Sequence, residues 1–351
     1  MLTTSLSMRR ALSAALFVLL LSVAGTKNAF AQNQVATLQH NGTITGTYYG
    51  ENALTSAYNA ASNGDIITLS SGAFSCPTIS KRVTIHGAGC EFDSVTNIMK
   101  TQIFSNFVLY NSSNTSFEGI HFSGTINCYG SGSSSHSNSF VKCAIYSIIQ
   151  PGSSGCYSNY NLNFVNCIIK NFATKTNSIY CMLGLSFINS VVRFTSYDHT
   201  NIQYPNTIYN SVVLFDNGQN IKNIIAYNSI IATVSGHTVS NCTFFNCIGI
   251  KTGETSLFDG QTCSNVMEVD GYDDVFETFD GTVTFDNIYQ LKNSIATSFL
   301  GHDGTEVSIY GGIMPYKTRP SYMILKNCNV AGQTDENKKL NVEMELLGPE
   351  D

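Results

Sequence analysis

A six-residue text recurs through the middle of this chain: a large apolar residue, any residue, Asn, Cys or Ser, then two mostly apolar residues. It reads Phe164-Val-Asn166-Cys167-Ile-Ile169, Phe187-Ile-Asn189-Ser190-Val-Val192 and Ile208-Tyr-Asn210-Ser211-Val-Val213. It returns as Ala226-Tyr-Asn228-Ser229-Ile-Ile231 and Phe244-Phe-Asn246-Cys247-Ile-Gly249, with Phe140-Val-Lys142-Cys143-Ala-Ile145 as a weaker copy. The asparagines are separated by 23, 21, 18 and 18 residues. Self-similarity at such a period marks a solenoid, in which each repeat buries its apolar face only against its neighbours. The apolar runs are short, rich in Val, Ile and Phe, and bounded by Asn, Ser and Gly, which suits strands. The regular leucines of a leucine-rich repeat are missing. The pattern predicts an all-β parallel β-helix, the alternative being a β-sandwich with chance asparagine placement.

The residue types then acquire physical reasons. Asparagine tolerates the left-handed backbone of a sharp bend. Stacked coil upon coil, its amides are expected to bond in a ladder along the axis. The following slot accepts only Cys or Ser among the five close copies, which predicts a tight space. The slot two before Asn predicts a partly aromatic column in the core.

An open solenoid end exposes core and strand edges and needs a cover. Glu51 to Asn63 reads as an amphipathic helix, with Leu54, Ala57, Tyr58 and Ala61 on one face and Gly64 as its stop. Strands follow around Ile66–Leu69 and Val83–Ile85. Near the other terminus Asn293 is an expected N-cap of a short helix, with Ile295, Phe299 and Leu300 facing inward and Gly301 as the stop. Leu340, Val342, Met344 and Leu346 alternate as a terminal strand. The expected organisation is residues 1–31 as signal peptide, 32–63 as N-terminal segment and cap helix, 64–285 as parallel β-helix and 286–351 as C-terminal capping region.

The segment Gly64-Asp-Ile-Ile-Thr-Leu-Ser-Ser-Gly72-Ala-Phe74, with Lys81-Arg-Val-Thr-Ile-His-Gly-Ala-Gly89, resembles the opening of pectate-lyase-like right-handed β-helix proteins. Asp274-Val-Phe-Glu-Thr-Phe-Asp-Gly281, Phe299 through Gly312, and the ending from Asn327 to Glu345 resemble a region of secreted β-helix proteins of gut Bacteroidetes. The resemblance implies a right-handed coil and carries no assigned activity.

Arg9 and Arg10 precede the apolar run from Ala11 to Ala24, and Ala29-Phe30-Ala31 supplies a small-x-small cleavage pattern. Cleavage is expected before Gln32, giving a secreted, periplasmic or cell-surface protein without a membrane span. The full chain carries 18 basic and 24 acidic residues; residues 1–31 hold three of the basic ones and no acid, so the remainder carries 15 − 24 = −9. That excludes a basic nucleic-acid binder. The 11 cysteines are an odd number without CxxC spacing, and several recur at the repeat slot. They read as small buried thiols and do not suggest a zinc site.

The chemistry is sparse. Beyond the leader only Arg82, Arg193 and Arg319 are arginines. Lys170 and Arg193 follow equivalent repeat strands and are expected to be neighbours outside the solenoid, with Asp198 and His199 in the same loop. Together they form a candidate site for an anionic sugar, Lys170 or Arg193 serving as base. A glycosidase needs paired carboxylates, and from Asn138 to Asn246 the chain offers only Asp198 and Asp216, at different offsets. Glu268, Asp270, Asp273, Asp274, Glu277 and Asp280 form one acidic cluster, within which Asp270, Asp273 and Asp274 are calcium candidates without EF-hand spacing. Otherwise no cofactor is indicated. Ser131–Ser135 reads as a flexible loop, and His86 and His121 as structural. The expected partner is a polysaccharide. The leading expectation is non-catalytic glycan binding or scaffolding, with a polysaccharide lyase or a structural or adhesive surface protein as alternatives. Oligomeric state is not readable.

Overall fold

The structure, a computed structural model, describes residues 34–94, 98–129, 136–149, 160–174, 182–197, 204–216, 218–234, 236–251, 253, 256–334 and 340–348. The export-signal reading, Ser131–Ser135, Cys156 and Cys181 lie outside them. The chain forms an all-β parallel solenoid of about eight turns with very few helices. Each full repeat contributes one strand to each of two sheets, joined at the Asn–Cys/Ser bend.

The sheet before the bend, here the ladder sheet, runs through Ser116–Glu118, His136–Val141, Tyr160–Val165, Ser186–Ile188, Asn206–Tyr209 and Ile224–Tyr227, then into Thr243–Lys251 and Thr262–Val269. Its register is unbroken, Phe117↔Phe140↔Phe164↔Phe187↔Ile208↔Ala226↔Phe244↔Cys263. Those residues point inward, and the first four rings stack at 5.1, 5.3 and 5.1 Å. The bend residues are left-handed on every turn: Gly119, Lys142, Asn166, Asn189, Asn210, Asn228, Asn246 and Asn265 all have φ between 46° and 67°. The expected column of asparagines is therefore present.

The next slot explains its own restriction. The hydroxyls of Ser190, Ser211 and Ser229 donate to the carbonyl two residues back, at 2.8, 2.7 and 2.6 Å. Each also accepts the backbone N–H of the same slot one coil earlier, Cys167→Ser190 at 3.0 Å, Ser190→Ser211 and Ser211→Ser229 at 3.1 Å. Cys143, Cys167 and Cys247 make the matching thiol contacts to carbonyls at 3.2, 3.4 and 3.3 Å. A small side chain with one donor fits this fully buried position. Eight cysteines among the described residues are free thiols.

The strands after the bend, Ala144–Ile149, Ile168–Ala173, Val191–Ser196, Val212–Phe215, Ile230–Thr233 and the second half of Thr243–Lys251, make the flank sheet. Its outward residues Ile168, Val191, Val212, Ile230 and Ile248 are as buried as the inward Ile169, Val192, Val213 and Ile231. They form a second core with Val275, Phe276, Phe279, Val283, Tyr289, Leu291, Val307 and Ile309. Residues 272–316 thus cover the flank sheet as an outer layer. In contrast, the ladder sheet turns half-buried or exposed residues outward in two rows. One row is Ser116, Ser139, Asn163, Ser186, Thr207, Ile225, Thr243 and Thr262. The other is Glu118, Val141, Val165, Ile188, Tyr209, Tyr227, Phe245 and Ser264.

The asparagine column differs from the expected ladder in its bonding. Asn265 and Asn246 donate up the column to Asn246 and Asn228 at 2.7 and 3.4 Å. Earlier in the column a strap of residues 301–322 takes over, running back toward the first coils. Asn228 Oδ1 accepts His302 N–H at 3.0 Å, Asn189 Nδ2 donates to the Ile309 and Gly311 carbonyls at 2.8 and 2.7 Å, and Asn166 Nδ2 donates to Pro315 at 3.5 Å. Ser321 N–H then reaches Glu118 at 2.7 Å, and Tyr322 stacks on His86 at 4.2 Å. The approach is close enough to favour glycine: a Cβ on Gly311 would lie 3.0 Å from Asn210 Nδ2, and one on Gly312 (φ 77°) would lie 3.1 Å from the same side chain.

The first helix spans Ala53–Ala60, shorter than the pattern suggested, and buries Leu54, Ala57 and Tyr58, with Ala61 just beyond it. The second spans Asn293–Ser298 with Lys292 at the N-cap, so Asn293 is its first helical residue and caps nothing. Ile295 and Phe299 pack on the second core, whereas Leu300 is 40% exposed. Leu340–Leu347 pairs antiparallel with Ile324–Thr334. Among the described residues no helix is long and apolar enough to cross a membrane.

Candidate functional site

The flank sheet brings Lys170 and Arg193 onto adjacent strands. Ile169 faces Val192 and Phe172 faces Phe194, so Lys170 and Asn171 together oppose Arg193 across a bulge. Both charged side chains are half-buried. Arg193 is engaged elsewhere: its Nε and Nη2 donate to the two carboxylate oxygens of Asp216 at 2.9 and 3.1 Å. This is the planar, two-bond arrangement that guanidinium and carboxylate favour. Asp198 and His199, the other two candidates, lie outside the described residues.

The acids near residue 270 disperse. Glu268 accepts the Leu257 N–H at 2.7 Å and the Ser256 hydroxyl at 3.1 Å. Asp270 is 89% exposed, with Lys251 Nζ at 3.8 Å. Asp273 and Asp274 lie in the 3₁₀ turn Tyr272–Asp274, where Asp274 accepts the Gly271 N–H at 3.2 Å. Among the described residues no three His, Cys, Asp or Glu side chains gather into a metal-binding group.

The same turn opens an exposed cleft of about 430 Å³ on the outer layer. Half-buried Tyr272 supplies its aromatic wall, with the buried Phe276 and Phe279 behind it, and Asp273, Glu277, Asp280 and Lys292 its polar rim. Tyr272 meets Phe279 edge-on at 5.5 Å and lies over Gly281, where a Cβ would come within 2.5 Å of the ring. Burial pushes the Tyr272 hydroxyl up to about 12; Asp216 and Asp280 add to that and Arg193 opposes it. Tyr272 therefore links the Arg193–Asp216 pair to the cleft. Asp280 is held below the usual carboxylate range, chiefly by the Thr282 N–H at 2.8 Å.

A second cluster lies where the outer layer meets the early coils. Burial raises Glu91 to about 7, helped by the nearby Asp286, while the Tyr316 hydroxyl donates to it at 3.5 Å. Burial, then Lys100, lowers His121 to about 4. Its Nδ1 lies 3.2 Å from the Cys90 carbonyl and its ring packs edge-on against Phe285 at 4.8 Å. Arg319 donates to Asp93 at 2.9 and 3.2 Å and ties the strap to the same region.

Sequence reasoning missed the role of Asp216 and of Tyr272. The first was findable: Arg193 stands four residues after Asn189 and Asp216 six after Asn210. Those offsets point to one face, diagonally across adjacent strands. The cleft gave no such signal, because residues 271–292 carry no period. No protein-family model, no curated protein and no solved structure matches the chain.

Proposed function

We propose that this chain is an exported cell-envelope or extracellular β-helix protein that binds or scaffolds glycans without transforming them. The cleft at Tyr272 carries the reading. A sugar presents apolar C–H faces and several hydroxyls, and the cleft offers the half-buried ring of Tyr272 beside three carboxylates that accept hydroxyl protons and one ammonium that donates. Its volume is within the range of small-ligand sites. Binding is favoured over a lyase reaction because Arg193, one of the two base candidates, has its guanidinium committed to Asp216, which leaves Lys170 as the base of the lyase alternative. The right-handed sense of the coil and the pectate-lyase-like kinship belong to the same proposal, supported by the general handedness of parallel crossovers and by the residues quoted above.

The test is a glycan array on the protein from residue 32 onward, beside ultraviolet detection of unsaturated uronate on acidic polysaccharides with and without calcium. Binding without product is expected, weakened at least tenfold by Tyr272→Ala and by Asp280→Asn. Unsaturated product would establish the lyase alternative. Silence in both assays would leave the structural or adhesive role.

A further inference from the structure

We infer that the open face of the ladder sheet is a track on which a linear, uncharged polysaccharide lies along the solenoid axis. This borrows only the ligand class from the glycan reading and uses different residues from the cleft. Strand register fixes two parallel rows on this face from the rung Ser139–Val141 to the rung Thr243–Phe245. The polar row presents Ser139, Asn163, Ser186, Thr207 and Thr243, broken once by Ile225. The apolar row beside it presents Val141, Val165, Ile188, Tyr209, Tyr227 and Phe245. All are half-buried or exposed, with Tyr209 at 38%.

Three properties select the occupant. Neither row holds a charged side chain over these six rungs, in a chain whose net charge is −6, so the face has nothing to pair with an anionic polymer or a charged peptide. Each row repeats once per rung, about 4.8 Å, close to the advance of one sugar along an extended chain. The pairing of a hydroxyl-rich row with an apolar row matches a pyranose ribbon, whose C–H faces and hydroxyl edges alternate. The rings contribute edges rather than platforms: Tyr209 stacks on Tyr227 at 5.0 Å, and Tyr227 on Phe245 at 5.1 Å, so their faces are mutually covered. Their outward edges therefore extend the apolar floor begun by Val141, Val165 and Ile188. The strap bonds to the asparagine column at the border of this row, and the residues of both rows stay half-buried or exposed over these rungs.

The test is calorimetric titration of the protein with cello-, xylo-, manno- and laminari-oligosaccharides of two to eight sugars, with oligogalacturonate as the anionic control. At least one neutral series is expected to bind more tightly with each added sugar up to about six, one per rung, and then to level off. Tyr209→Ala combined with Tyr227→Ala should weaken the hexamer at least tenfold while circular dichroism and melting remain those of a folded solenoid. Tyr272→Ala should leave hexamer binding unchanged, which separates failure of this track from failure of the cleft. Binding by none of the neutral series would overturn the inference, as would length-independent affinity or equal binding of oligogalacturonate. So would a glycan-free dimer, seen by light scattering, that the paired tyrosine variant dissociates.

Discussion

The two sheets of this solenoid are built from one repeat and end in opposite environments. In the ladder sheet the outward residues of each rung stay at the surface, and apolar alternates with mixed along the strand. In the flank sheet the apolar doublets Ile168-Ile169, Val191-Val192, Val212-Val213 and Ile230-Ile231 are buried on both faces. One residue of each doublet enters the solenoid core and the other enters the layer of residues 272–316. A strand needs consecutive apolar residues only where both of its faces are dry. The doublet therefore records a covering layer that lies far away in the sequence.

The sharpest way to break this comparison is a matched pair of truncations one strand apart. Ile230 faces outward on the flank sheet and is fully buried; Ile225 faces outward on the ladder sheet and is half-buried. Ile230→Ala should cost about 2–5 kcal/mol, the range for a buried isoleucine. Ile225→Ala should cost roughly 1 kcal/mol or less, because little apolar area returns to water. Urea unfolding of both variants reads the difference. Equal losses would mean that the outer layer does not hold its place on the flank sheet in solution.

A smaller effect sharpens what the two sheets share, the bend between them. Ser211→Ala removes the hydroxyl that donates to the Tyr209 carbonyl and accepts the Ser190 N–H. The Ser190 N–H is then left buried without that acceptor, at a cost of about 1–3 kcal/mol. Ser211→Cys should recover part of it, since cysteine occupies the same slot at Cys167 and Cys247. A melting series that ranks alanine below cysteine and cysteine below serine is expected. An alanine variant as stable as the parent would remove the hydrogen-bonded column as the reason for the Cys/Ser restriction.

The parts of the molecule that repeat were legible in the sequence, and those that do not repeat were hidden. The asparagine bend, the inward apolar column and the parallel register recur from turn to turn, so five copies vote for one geometry. The second core was present in the text as Val-Val and Ile-Ile, but a period alone names no partner for the outer residue. The strap replaces part of the expected amide ladder for a related reason. Asn189 looks identical to Asn246 in sequence, yet one meets the Ile309 and Gly311 carbonyls and the other meets its neighbours in the column. Arg193 and Asp216 sit between these cases, readable from their offsets once the coil is accepted. The cleft at Tyr272 depends on how an aperiodic segment folds on itself, and neither spacing nor composition announces it.

At the seam between the covered side and its layer two opposing slopes leave the smallest net effect in the parent protein, and their signs distinguish two groups. Glu91 faces Asp286, Tyr316 and Lys100; His121 faces Lys100, Asp286, Phe285 and the Cys90 carbonyl. Folding raises Glu91 from 4.5 to about 7, so the native state keeps a proton that the unfolded chain releases. That contribution is complete below pH 4.5 and is lost as the pH rises to 7. Folding lowers His121 from 6.5 to about 4, so its contribution is complete above pH 6.5 and is lost as the pH falls to 4. The two slopes oppose each other in one window and should leave the parent protein nearly flat there. Glu91→Gln should expose the rising slope of His121, and His121→Gln the falling slope of Glu91, in denaturant midpoints taken from pH 4 to 8. Profiles that stay parallel to the parent would place both side chains in ordinary water, and the outer layer would then not seal this seam.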